Sequence, residues 1–133
     1  SLSDALDVDF SKVKIKNLKV KNAGNDCADF SYGEYEIEKI YVENCGDKGI
    51  SIGEGSTVNI DKLVVSNSYI GISSKDLSAT EVNSFSGRNT QICTSAFQKK
   101  QEFGGGFLKI ENSNCNGVRE IDSSSVINIK NEF

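Results

Sequence analysis

The sequence predicts an all-β fold of the solenoid kind, a parallel β-helix of about five to six turns with an asparagine ladder. Three observations predict it. A phrase recurs, with Ile40-x-Val42-x-Asn44 followed by Gly49-Ile50-Ser51 and Leu63-x-Val65-x-Asn67 by Gly71-Ile72-Ser73. The series Asn22, Asn44, Asn67, Asn89, Asn114 is spaced by 22, 23, 22 and 25 residues. Within each run the apolar period is two, and Ser, Asn, Gly and β-branched residues stand where helix formers would be expected.

Each repeat holds three short strands. The first reads Val13-x-Ile15, Tyr35-x-Ile37 and Val58-x-Ile60. The second carries the apolar column Leu18, Ile40, Leu63, Phe85, Ile110, then Val20, Val42, Val65, Gly87, Asn112, and ends on the Asn. The third reads Ala28-x-Phe30 and Ile50-x-Ile52. Antiparallel sandwiches are built on short hairpin turns at less regular spacing. In a solenoid each strand lies parallel to its counterpart one turn away, about 4.8 Å distant, so like side chains stack in columns. Apolar columns then fill the interior, and a buried Asn column satisfies itself by amide hydrogen bonds up the stack.

Composition bounds the rest. At 133 residues the chain is expected to be one domain, residues 1–133. Its opening in already patterned sequence suggests a piece of a longer solenoid or multidomain protein. A net charge of -4 argues against a nucleic-acid footprint. No apolar run is long enough to insert in a membrane, and any secretion signal is expected upstream.

The lines VENCGDKGISIGEGSTVNIDKLVVSNSYIGISSKD and VKNAGNDCADFS resemble the repeats of right-handed parallel β-helix proteins. That superfamily holds pectate-lyase-like polysaccharide lyases, mannuronan C5-epimerase-like proteins, polygalacturonase-type hydrolases and phage tailspikes. The resemblance covers nearly the whole chain, from Asp4 to Phe133, and implies the fold. The hydrolases of this superfamily carry an Asp-Asp pair and a Gly-His-Gly segment, and this chain has no His. Neither Arg88 nor Arg119 sits in a motif like the catalytic Arg region of pectate lyases.

Repeat registration places Cys27, Gly49, Gly71 and Cys93 in one column and Cys45, Ser68, Thr90 and Cys115 in another. Cysteines of one column would lie three turns, about 14 Å, apart, beyond the roughly 7 Å Cα limit of a bridge. The two columns are placed on different sides of the turn. Four free, buried thiols are therefore expected. Zinc is not, for want of His and of a Cys-x-x-Cys pair.

Two groups of polar residues are candidate sites, both taken as facing outward. Aligning DALDVDFS on NDCADFS puts Asp9 over Asp29, the column continuing as Ser51, Ser73 and Ser95, with Asp7, Asp26, Asp47 and Lys48 beside it. Stacked carboxylates repel, so one reading is a Ca²⁺ site at Asp7, Asp9, Asp26 and Asp29, or an acid and base flanking a uronic-acid sugar. The other is that Asp and Asn form Asx-turns at the corners of the coil. The second group is Glu54, Lys75 and Asp76 with the QKKQEFGGG loop, where Lys99, Lys100 and Glu102 would grip an anionic polymer or simply lie on a tolerated surface insertion. No catalytic residue is assigned.

Two functions stand at this level. One is a polysaccharide-binding or spacing module of a bacterial or phage surface protein, extracellular or on the cell surface, self-associating end to end or stacked on neighbouring domains. The other is a lyase or C5-epimerase acting on a uronate polymer through Lys, Tyr and Asp.

Overall fold

The computed structural model describes residues 4–133. Nine strands form one parallel sheet wound into a solenoid of about six turns. They are β1 (Leu6–Asp9), β2 (Lys12–Ala23), β3 (Ala28–Ser31), β4 (Glu34–Gly53), β5 (Thr57–Lys75), β6 (Ala79–Phe97), β7 (Phe107–Asn114), β8 (Val118–Ile121) and β9 (Val126–Glu132). The three short strands expected per repeat run together, so β4, β5 and β6 each trace almost a whole turn as one bent strand. Pairing with the turns above and below continues around the bends, with positions skipped at residues 16, 38, 61 and 83 and again at 22, 44, 67 and 89, and with a register shift between Cys45 and Lys48.

The interior is built as the alternation requires. Ile15, Ile37, Ile60, Val82, Ile110 and Ile129 form one column, and Leu18, Ile40, Leu63 and Phe85 form the next. Tyr35 is fully buried and donates its hydroxyl to the Ser31 carbonyl at 2.8 Å, which satisfies the one polar atom it carries inward. Phe85 needs room that its neighbours provide: a Cβ on Gly71 would stand 2.8 Å from the end of its ring.

The Asn ladder is present, but on the outside. Asn44 donates to Asn22 at 2.9 Å, Asn67 to Asn44 at 3.0 Å and Asn89 to Asn67 at 2.7 Å, and all four side chains are exposed. Each of the four has a positive φ, from 50° to 62°. The residue turns the corner in the left-handed region, where Asn is tolerated better than most residues. Backbone geometry therefore decides where the amide goes, and it goes outward.

Asn114 does not extend this ladder. It stands over Ser86, Ser113 stands over Phe85, and Ile110 belongs to the Val82 column. The Gln98–Gly106 loop lengthens that turn, and the chain recovers three residues at the following corner, between the Ser86–Asn114 and Ser95–Glu120 pairs. The 25-residue step from Asn89 to Asn114 registers the loop only in part, because the offset between turns rises from 22 to 28 across it and then settles at 25.

The expectation of free thiols is overturned: Cys27 is bonded to Cys45 and Cys93 to Cys115, with Cα atoms 5.3 and 6.1 Å apart. The two columns meet across a corner and are not opposite sides of the coil. Cys45 stands over Ala23 of the turn below, only four residues before Cys27, and the bend at Gly24 and Asn25 folds that stretch back. A Cβ on Gly87 would lie 2.6 Å from Cys115 Sγ, placing that cysteine at the equivalent bend before Cys93. Each bridge thus ties one turn to its neighbour across a corner. Two disulfides fit a non-reducing compartment. Among the described residues no helix is long and apolar enough to cross a membrane.

Candidate functional site

The acidic corner is real but differently composed. Asp7, not Asp9, stands over Asp29; Asp9 stands over Ser31, two positions along. The column Asp29, Ser51, Ser73, Ser95 is as expected. It does not line an open surface, however, since the three serines are fully buried and their hydroxyls have no hydrogen-bond partner among the described residues.

Asp4, Asp26 and Asp29 bring carboxylate oxygens within 4.8 Å of one another. Of the four residues expected to hold Ca²⁺, Asp26 and Asp29 are in this group and Asp7 and Asp9 are not. Much of its bonding capacity is used within the coil. Asp4 Oδ1 accepts from the Asp26 backbone N–H at 2.9 Å and from Asn25 at 2.8 Å, and Asp26 Oδ1 accepts from the Lys48 N–H at 3.2 Å. Each carboxylate thereby caps the turn above it, as an Asx corner does. The Lys48 ammonium lies 2.7 Å from Asp47 and 3.9 Å from Asp26. Burial raises the Asp26 carboxyl, with Lys48 opposing, and burial pushes Asp29 up to about 6, with Lys75 opposing. Hard oxygen donors are present for a cation such as Ca²⁺, with the lysine as their resident counter-charge.

The second group also assembles, around a closed loop. Burial works against ionisation of Glu54, but hydrogen bonds from Lys100 and Ser31 hold its carboxyl below the usual range; Lys100 Nζ is 2.7 Å away. Asp76 Oδ1 accepts the backbone N–H groups of Lys99 and Lys100 at 2.6 and 2.9 Å. Gln98 Nε2 donates to the carbonyls of Lys100, Gln101 and Phe103. The loop is thus pinned to the coil. Lys75 is buried along the outside of Gly53, whose added Cβ would meet Lys75 Cε at 3.1 Å. Lys99 and Glu102 are exposed. Phe103 packs edge-on to Tyr32, which stacks on Phe10 at 4.6 Å.

A third feature was not picked out from the sequence. A groove of about 720 Å³ runs along the coil where the first and second strand segments of each turn meet. It crosses five turns, each supplying residues from one triplet: Lys14-Ile15-Lys16, Glu36-Ile37-Glu38, Asn59-Ile60-Asp61, Glu81-Val82-Asn83, Lys109-Ile110-Glu111. The middle residue packs into the core column and in four of the five turns also borders the groove, between two polar neighbours that line it. The signal was legible as a polar–apolar–polar triplet repeated in register with the Ile column. It carries no catalytic or metal-binding pattern that would mark it as a site.

Compared with protein-family models, with curated proteins and with solved structures, the chain matches none of them. Its fold defines its class, a disulfide-bonded parallel β-solenoid with an external asparagine ladder.

Proposed function

We propose that the chain is a non-catalytic solenoid module of a secreted or cell-surface protein, binding a polysaccharide lengthwise in the groove. The observation that carries this reading is the groove's periodicity, with two column positions supplying polar side chains on five successive turns. Turns rise about 4.8 Å, close to the advance of one pyranose along an extended β-linked glycan. A linear glycan would therefore meet an equivalent set of carboxylate, amide and ammonium groups at each sugar, and these groups bond hydroxyls as donors and acceptors. The two disulfides support a secreted setting. Kinship with pectate-lyase-like proteins rests on the repeat pattern alone.

Titrating ¹⁵N-labelled protein with linear neutral, amino-sugar and uronate oligosaccharides tests this. Amide shifts should concentrate on the groove triplets, from Lys14 to Glu111. No shift with any glycan, or shifts confined to the far side of the coil, would overturn the reading.

One observation favours a second reading, a uronate lyase or epimerase: burial raises the Asp29 carboxyl to about 6, with Lys75 opposing, in the range a general acid or base uses. Product absorbance on alginate, pectate and glycosaminoglycans, abolished by Asp29→Asn, would establish it. A Ca²⁺ ion at Asp26 and Asp29 is a separate proposal, which calorimetry tests by the loss of binding heat in Asp29→Ala.

A further inference from the structure

The charges along the groove narrow its ligand. Resting on the reading that the groove holds a glycan, we infer that it selects a chain bearing ammonium groups, an amino-sugar polymer, over a uronate polymer. Five carboxylates and three lysines line it, unevenly placed. Lys14 and Lys16 stand on the first of the five turns and Lys109 on the last, whereas the three turns between contribute Glu36, Glu38, Asp61 and Glu81 and no lysine.

Lys14 engages Glu36 at 3.7 Å. Glu38, Asp61 and Glu81 take part in no ion pair among the described residues. Asp61 receives only the Asn83 amide, at 3.0 Å. Lys62, next to Asp61 in sequence, lies 5.9 Å from the Tyr41 ring and does not line the groove. Glu38 and Asp61 occupy the same position on adjacent turns, about 4.8 Å apart, so their charges repel. A uronate chain would add a carboxylate per sugar to this stretch. A glucosamine chain would bring one ammonium per sugar, at nearly the spacing of the turns, and offset the repulsion.

The test titrates the full chain at low salt with three hexamers: glucosamine, its neutral N-acetylated form, and galacturonate. The glucosamine hexamer should bind tightest and weaken as salt is added. Exposed charge pairs are each worth about threefold, so Glu38→Gln with Asp61→Asn should cost it about tenfold and leave the N-acetylated hexamer nearly unchanged. Both substitutions are on exposed side chains, and an unaltered melting curve confirms the fold; Glu81→Gln alone, at about threefold, repeats the test if the pair destabilises the coil. Galacturonate binding as tightly as glucosamine, or glucosamine binding unmoved by the substitutions, would overturn the inference while leaving the groove a glycan site. Binding of none of the three would instead overturn the proposed function.

Discussion

Asn22, Asn44, Asn67 and Asn89 do two jobs at one position, turning the backbone through positive φ and bonding amide to amide along the outside. The two can be separated. Asn67→Ala loses both and should cost about 1–2 kcal/mol. Asn67→Gly keeps the backbone conformation at no steric cost and should cost less. Urea melts of the two variants decide it, and equal losses would mean that the amide bonds alone matter. Asp29 offers a second test at this scale. Its carboxyl ionises near 3.8 when unfolded and about 6 when folded, so the folded chain holds the proton more tightly between those values. Stability should fall as pH rises through that window, and burial of Asp26 contributes in the same direction. Asp29→Asn should flatten the slope and stabilise the chain above the window, as urea melts on either side of it would show.

At the scale of elements, the bends matter more than the straight runs. The disulfides span 18 and 22 residues, one at each end of the coil. Closing loops of this length restricts the unfolded chain by about 3 kcal/mol each. Replacing Cys27 and Cys45, or Cys93 and Cys115, by serine should each lower stability by about that amount. Mass spectrometry after alkylation in denaturant should find no modified cysteine until reductant is added. The straight segments were legible in the sequence because each side chain's partner is the same position one turn away, so Ile37 announces Ile60. The corners were not, because their form depends on φ at Asn and on bends at Gly24 and Asn25, which set what approaches across the turn. Both missed bridges and the outward ladder follow from corner geometry, whereas Asp7 stands over Asp29 at the same 22-residue offset as Lys12 and Glu34, which the shared letters of DVDFS and CADFS disguise. The groove escaped for a different reason: its residues carry no catalytic pattern, and only their register with the core column makes them a site.

For the whole molecule, the two ends of the coil differ in kind. Among the described residues β2 pairs only with β4, and its other edge carries Lys12, Lys14, Lys16, Lys19 and Lys21. Glu34, Glu36 and Glu43 on the next turn accept three of them at 3.6–3.7 Å. At the other end β8 and β9 expose Val118, Ile121 and Val126. A second copy stacked in register on β9 would place its Lys12, Lys14 and Lys16 over Val126, Asn128 and Lys130, with no carboxylate to receive them. Lysine rows of this kind protect sheet edges against unwanted pairing. The isolated chain should therefore stay monomeric at low ionic strength and associate end to end when screening shortens the range of repulsion from about 10 Å at 0.1 M to about 3 Å at 1 M salt. Light scattering over a concentration series at the two salt levels reads this directly. Lys16→Glu, which would face Lys130 with the opposite charge, should bring association on at low salt. Association indifferent both to salt and to Lys16→Glu would show that the coil ends do not meet through this edge.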